Sequence, residues 1–215
     1  MATQTATKDR AYAPTREELQ GFVGGKKGLG DILLDLRLRL GDATEQEKSA
    51  ALGSCRNELI DAKISATKTL YTGRWFLEWG QMVAFADVIN NGARTLTEGV
   101  HEVPRYTMPG RFSLSASKSV SKDFATIAKQ WGMLITLDAG KVNYYHPNTL
   151  LEPKGLSKDP DAVTIGWVQE EEVRVRSLDR RAVIGVDVFS RGERIISYNS
   201  FPSELALLAD IRGNI

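Results

Sequence analysis

The spacing of apolar residues changes from a helical repeat to a strand-like repeat near residue 68. Before that point apolar residues recur at intervals of three and four, as in Leu52, Cys55 and Leu59, which is the period of one helix face. After it, short apolar stretches are separated by glycine, proline and asparagine, as is typical of strands and turns. The pattern predicts an α+β protein: a helical N-terminal lobe followed by a split, mainly antiparallel β-sheet core.

This change of pattern divides the chain into three parts. Residues 1–14 are polar and lack the apolar centre of a signal peptide, so we expect a flexible N-terminus. Residues 15–67 form the predicted helical lobe, and residues 68–215 form the predicted sheet core.

Two capping boxes mark the beginnings of helices in the lobe. Thr15 with Glu18, and Thr44 with Glu47, have the Ser/Thr-x-x-Glu spacing that opens a helix. Residues 30–42, GDILLDLRLRLGD, fit both a period of two and a helical period, and we prefer the helix.

The rest of the chain predicts short strands and helices. In chain order the predicted strands are 67–75, 110–117, 133–138, 164–176, 182–190 and 194–200, and the predicted helices are 79–93, 121–132 and 203–211. Gly132 is the expected end of the second of these helices. Residues 146–162 contain three prolines and predict a long loop.

Composition excludes several classes of protein. The net charge of +1 provides no basic field for nucleic acid. The single cysteine, Cys55, excludes an internal disulfide and is expected to be a buried thiol. With only His101 and His146 as histidines, no metal site is expected. Apolar runs are too short for a membrane span, so we expect a cytoplasmic protein with no membrane partner.

Three polar motifs follow one another along the predicted core. They are LYTGR at 70–74, FSLSAS at 112–117 with a helix containing Phe124-Ala125 after it, and EEEV at 170–173. Their order resembles the mono-ADP-ribosyltransferase family, in the branch marked by an arginine, a serine strand and a glutamate, which includes bacterial toxins and phage enzymes that modify host proteins. The resemblance covers about residues 68–190 and implies a core of ADP-ribosyltransferase type with NAD as co-substrate.

Strand alternation selects one carboxylate from the glutamate run. Val173 and Val175 share a face that should meet the core, so Glu172 points to the other face. The resemblance implies that Glu172 is the catalytic glutamate, which stabilises an oxocarbenium-like transition state when NAD is cleaved. It also implies that Glu170 positions the acceptor. The competing register pairs Gln169 with Glu171, and a solvated acidic turn is the alternative without function.

The same resemblance implies roles for the two earlier motifs. Ser115 would brace Glu172, and Arg74 would bind the NAD pyrophosphate through its planar guanidinium. The family has its arginine before the glycine, whereas Arg74 follows Gly73, so a local bulge would have to redirect it. Arg105 and Arg111 are the alternatives. The further residues expected to contact NAD are Tyr71, Gly73, Ser113 and Ser117; for the serines, exposure to solvent or capping of the next helix is the alternative.

The resulting prediction is an enzyme that cleaves NAD and transfers ADP-ribose to a protein side chain, most simply an arginine. The partner would be a target protein, which is a host protein if this chain is an effector. The alternatives are an NAD glycohydrolase and a non-catalytic binding module with the same fold. An ADP-ribosyltransferase that acts on nucleic acid is less favoured because the net charge is close to zero.

Overall fold

The computed structural model describes residues 13–91, 112–128, 130–150, 162–164, 171–176 and 178–214. The helices are α1 Arg16–Val23, α2 Leu29–Arg39, α3 Glu45–Thr67, α4 Trp79–Asn91, α5 Lys118–Thr126 and α6 Glu204–Gly213. The strands are β1 Thr69–Phe76, β2 Phe112–Ser115, β3 Trp131–Asp138, β4 Tyr144–Tyr145, β5 Asn148–Leu150, β6 Ala162–Thr164, β7 Glu172–Val175, β8 Val183–Ser190 and β9 Glu193–Tyr198.

Contacts divide the chain into two compact units. The first unit contains the described residues up to Thr67 and those from His146 to Glu172, and the second contains the described residues of the stretches Lys68–Tyr145 and Val173–Ile215. The boundary after Thr67 coincides with the change of hydrophobic pattern. The described residues of the segment 146–172 belong to this first unit, whereas the sequence predicts the segment to be part of the sheet core.

The capping boxes of the first unit form as predicted. In α1 the main-chain N–H of Glu18 donates to Thr15 Oγ1 at 3.2 Å, and the Glu18 carboxylate accepts from the Thr15 N–H at 2.7 Å. At α3 the Glu47 N–H donates to Thr44 Oγ1 at 3.2 Å, and the Thr44 N–H donates back to the Glu47 carboxylate at 2.9 Å. Each box satisfies two donors that would otherwise have no partner at a helix start.

The helical interpretation of residues 30–42 is confirmed by α2. Its core face contains Leu29, Ile32, Leu33 and Leu36, which have the spacing of one helix face. Leu34 and Leu38 complete the alternating leucine run and are exposed. The apparent period of two therefore came from two leucines that lie outside the core.

Helix α3 buries the predicted apolar stripe. Leu52, Cys55, Leu59 and Ile60 are fully buried. Burial raises the pKa of the Cys55 thiol to about 12, so it stays protonated and behaves as a small apolar side chain. The expectation of a buried thiol at Cys55 is confirmed.

A seven-stranded sheet with the order β4-β7-β2-β1-β3-β8-β9 contains most of the strands. The pairs β1/β2, β1/β3, β3/β8, β8/β9 and β4/β7 are all antiparallel. Strands β5 and β6 form a separate, parallel pair. The predicted α+β class with a mainly antiparallel sheet is therefore confirmed.

Two predicted elements are wrong in part. The expected loop over 146–162 contains strand β5, and β6 begins at its last residue. The predicted helix over 121–132 corresponds to α5, which ends at Thr126, so Gly132 is a residue of strand β3 rather than a helix end.

Gly73 and Gly132 allow helix α5 to lie directly on the sheet. A Cβ atom at Gly73 would be 1.6 Å from the main-chain O of Ser121, and one at Gly132 would be 1.7 Å from that of Ala125. Both contacts involve helix backbone, which cannot rotate away. The two glycines are therefore required by close helix–sheet packing.

Candidate functional site

Strand β7 begins at Glu172, the glutamate that the sequence analysis selected. Val173 and Val175 are buried, as strand alternation predicts, and Glu172 is only 7% exposed. Glu171, the residue before it, is 8% exposed. A solvated acidic turn is therefore the wrong interpretation for these two residues. Glu170 lies outside the described residues.

Glu171 has a left-handed backbone with φ of 48°, so regular strand alternation begins only at Glu172. Lys63 Nζ lies 2.9 Å from Glu171 Oε1 and 2.7 Å from Oε2. Burial raises the pKa of the Glu171 carboxyl, while the hydrogen bond and charge of Lys63 and the charge of Arg56 oppose that rise. Glu171 is therefore a buried carboxylate with a dedicated cation.

Arg56 fixes the main chain at the start of β7. It lies in α3, is 1% exposed, and donates from Nη2 to the main-chain O of Glu172 and from Nη1 to Asn57 Oδ1 at 3.3 Å. A fully buried guanidinium is rare unless it is hydrogen-bonded. Sequence reasoning missed both Arg56 and Lys63. The sequence feature that could have identified them is their spacing: they are seven residues apart, which places both on the same helix face as the apolar stripe of α3.

His146 and Asp61 form a further polar pair in the same unit. His146 Nε2 lies 2.9 Å from Asp61 Oδ1. Burial lowers the pKa of His146, against the opposing effect of the Asp61 carboxylate, and the charge of Arg56 lowers it slightly further. The folded protein therefore holds this imidazole in its neutral form more strongly than the unfolded chain does.

We expect His146 to make the protein less stable in acid. As the pH falls below 6.5, the unfolded chain binds a proton at this residue before the folded protein does, so the free energy of unfolding falls with pH, by at most about 1.4 kcal/mol per pH unit. His146→Gln should reduce this slope. Urea unfolding of both proteins at several pH values between 5 and 8 measures it, and identical slopes would contradict the assignment.

Ser115 ends strand β2 and lies opposite Tyr71 of β1. Its Oγ accepts a hydrogen bond from the main-chain N–H of Ser117 at 3.0 Å, and it is buried. Ser117 is the N-cap of α5, where its side chain accepts from the Val120 N–H. The capping interpretation therefore holds for Ser117, while Ser113 on β2 is exposed.

Arg74 lies on the opposite face of the sheet from Ser115. Residues opposite each other on antiparallel strands point to the same side, so Ser115 shares the face of Tyr71 and Gly73, and Arg74 points to the other. Strand β1 pairs with β3 without interruption from Thr69 to Phe76, so no bulge in that pairing redirects Arg74. Its guanidinium carbon lies 5.6 Å from the centre of the Phe112 ring.

The structure therefore does not bring Arg74 together with Ser115. The alternatives Arg105 and Arg111 lie outside the described residues. Gly73 lies directly against the main chain of α5, so its face of the strand is covered by that helix. Tyr71 packs against the cluster of Ala125, Leu134 and Phe189, and its hydroxyl lies 2.9 Å from Thr69 Oγ1, so its ring is part of the core.

The strands that carry the three motifs are nevertheless consecutive in the sheet. Strand β2 lies between β7 and β1, although about a hundred residues separate β1 from β7 along the chain. Among the described residues, no group of three or more His, Cys, Asp or Glu side chains could hold a metal ion.

A cavity of about 390 Å³ lies beside β4 and the end of β7. Its lining includes Lys141, Tyr144, Tyr145 and Arg176. The volume falls within the range of small-molecule sites, but none of the residues predicted from the sequence lines it.

Comparisons with known proteins leave the family open. A scan against protein-family models and a search of characterised proteins each found no match to this chain. Among the described residues, no helix has the length and apolarity needed to cross a membrane.

Proposed function

We propose that the protein is a mono-ADP-ribosyltransferase that cleaves NAD and transfers ADP-ribose to a protein side chain. The observation that carries the proposal is the sheet order β7-β2-β1, in which the glutamate, serine and arginine motifs occupy consecutive strands. The burial of Glu172 agrees with it, because a carboxylate sheltered from bulk water acts more strongly on a developing positive charge.

In the proposed reaction the bond between ribose C1′ and the nicotinamide nitrogen breaks. Nicotinamide leaves with the bonding electron pair, and C1′ becomes cationic, as in glycoside hydrolysis. The Glu172 carboxylate stabilises this cation. A guanidinium nitrogen of a target arginine then forms the new bond to C1′ and loses its proton, with Glu170 as the proposed acceptor-positioning group.

The other predicted roles change in the light of the fold. The bracing of Glu172 by Ser115 stays a prediction of the family resemblance, because Glu172 belongs to the first unit and Ser115 to the second. Arg74 is not assigned to the pyrophosphate, because it lies on the other face from Ser115. Gly73 and Tyr71 support the sheet and the packing of α5, so no contact with NAD is assigned to either.

A non-catalytic binding module is the second candidate. The position of Arg74 favours it, because a site of this type requires a cation for the NAD phosphates, and the described residues supply none beside Ser115 from β1. In that case the protein would keep the fold and bind another partner, without cleaving NAD.

Incubation with NAD separates these candidates. The protein is mixed with NAD labelled in the adenylate moiety and with cell lysate, and a parallel sample contains no lysate. Labelled protein supports ADP-ribosyl transfer, whereas free ADP-ribose as the sole product overturns transfer in favour of a glycohydrolase. Absence of both labelled protein and free ADP-ribose overturns the enzyme in favour of a binding module.

A further inference from the structure

Two cations on one face of α3 contact consecutive residues at the start of β7. Arg56 donates to the main-chain O of Glu172, and Lys63 forms an ion pair with the carboxylate of Glu171. The cations are seven residues apart, which is close to two helical turns, so they project from the same side of the helix. All four residues belong to the first unit.

The contacted backbone is not one that a glutamate adopts readily. The φ angle of 48° at Glu171 is unfavourable for a residue with a Cβ atom, because the side chain crowds the following carbonyl. Such a conformation persists only where the surroundings fix it. The ion pair with Lys63 holds the Glu171 side chain, and the bond from Arg56 holds the next carbonyl, so both sides of this turn are fixed.

Stability alone does not account for two cations at this place. Isolated buried charges are costly, and apolar side chains of similar size often replace buried ion pairs without loss of stability. Arg56 is fully buried within a stripe that is otherwise apolar. Directional bonds from a cation fix an orientation, which an apolar side chain does not do.

We propose that Arg56 and Lys63 are positioning residues that set the orientation of Glu172 for NAD cleavage. This inference rests on the proposed function. Neither residue needs to touch NAD: Lys63 acts through Glu171, and Arg56 acts through the main chain of Glu172. Helix α3 then contributes to catalysis, because its two cations fix the segment that carries the Glu172 carboxylate.

Kinetics and hydrogen exchange of two single variants test the proposal. Arg56→Lys removes the planar donor but keeps the charge, and Lys63→Met removes the charge at similar length. Each should lower kcat for nicotinamide release by about tenfold or more, leave KM for NAD within about threefold of wild type, and speed amide exchange in residues 171–176.

Matched variants separate positioning from a general loss of stability. Lys48→Met removes a cation of the same helix, which pairs with Glu45 at 3.2 Å, and should change neither kcat nor exchange in residues 171–176. Lys63→Arg keeps the positive charge and should therefore retain most of the wild-type kcat that Lys63→Met loses. The double variant Lys63→Met/Glu171→Gln should recover thermal stability, because no buried carboxylate is left unpaired, but its kcat should stay low.

Each outcome decides the proposal. If wild type releases nicotinamide and both single variants match it in kcat, the positioning roles are wrong and the proposed function stands. If the double variant recovers kcat together with stability, Lys63 only neutralises Glu171, and its positioning role is overturned. If wild type releases no nicotinamide, the proposed function fails. Amide exchange then tests whether Arg56 and Lys63 hold residues 171–176 in place. Faster exchange in both single variants supports this, and unchanged exchange overturns it.

Discussion

Glu172→Gln should lower nicotinamide release from NAD by about 100-fold or more. The amide keeps the shape of the side chain but loses the negative charge that stabilises the cationic ribose, and removal of one such preorganised contact costs on the order of 100- to 1,000-fold. Release of nicotinamide is the appropriate measurement, because it reports cleavage whether the acceptor is a protein or water. KM for NAD should change much less than kcat.

Two companion variants make this result specific. Glu58→Gln changes an exposed glutamate of α3 and should leave the rate unchanged. Glu171→Gln tests the competing register, in which Gln169 and Glu171 form the catalytic pair; we expect a smaller loss than in Glu172→Gln. A larger loss in Glu171→Gln than in Glu172→Gln would transfer the catalytic role to Glu171. Full activity in both would remove the glutamate run from the mechanism.

Gly73→Ala should destabilise the second unit by about 3 kcal/mol or prevent its folding. The new methyl group would be 1.6 Å from the main-chain O of Ser121 and 2.9 Å from the main-chain N of Ala125. Because these atoms belong to the helix backbone, relief requires the whole of α5 to move away from the sheet. Overpacking of this kind costs about 1–3 kcal/mol and occasionally more. Because the 1.6 Å contact is so short, we expect a cost at the upper end of this range.

Thermal unfolding of Gly73→Ala beside Gly185→Ala measures this effect. A Cβ atom at Gly185 of β8 would lie 3.6 Å from the nearest atom, in Thr136, which is an ordinary contact, so this variant should unfold close to the wild-type temperature. A decrease of roughly 6–12 °C for Gly73→Ala corresponds to the expected loss. Equal unfolding temperatures in the two variants would contradict the packing role, and normal stability with weaker NAD binding would return Gly73 to the cofactor-binding set.

Local signals were sufficient for most of the secondary structure. The capping boxes at Thr15 and Thr44 were correct because the hydrogen bonds that define them join residues three apart. Burial of Val173 and Val175 followed from alternation, which depends only on strand geometry. Both kinds of signal are contained in a few consecutive residues, so no knowledge of the tertiary structure was needed.

The predictions for Gly132 and Arg74 were wrong because contacts between distant parts of the chain determine both positions. Gly132 resembled a helix end by composition, but it is a strand residue whose missing side chain makes room for Ala125. Arg74 was expected near Ser115 because both follow the motif order, yet the pairing of Ser115 with Tyr71 places them on opposite faces. The pairing register of two strands about forty residues apart cannot be deduced from the residues of either strand alone.

The contacts at Glu171 and Glu172 were missed for the same reason. Arg56 and Lys63 lie 116 and 108 residues away from their partners. Alternation treated Glu171 as an ordinary strand residue, whereas its left-handed backbone removes it from the pattern. The selection of Glu172 itself remains a prediction that the activity measurement tests.

The first unit is assembled from two distant parts of the chain, and this has a consequence for its synthesis. A ribosome that adds roughly 5–20 residues per second needs about 6–23 s to extend the chain by the 116 residues between Arg56 and its acceptor carbonyl. During that interval the guanidinium and the apolar stripe around it lack part of their final covering. Nascent chains stalled before residue 172 should therefore expose α3 to proteases and bind chaperones, and chains released after that point should not.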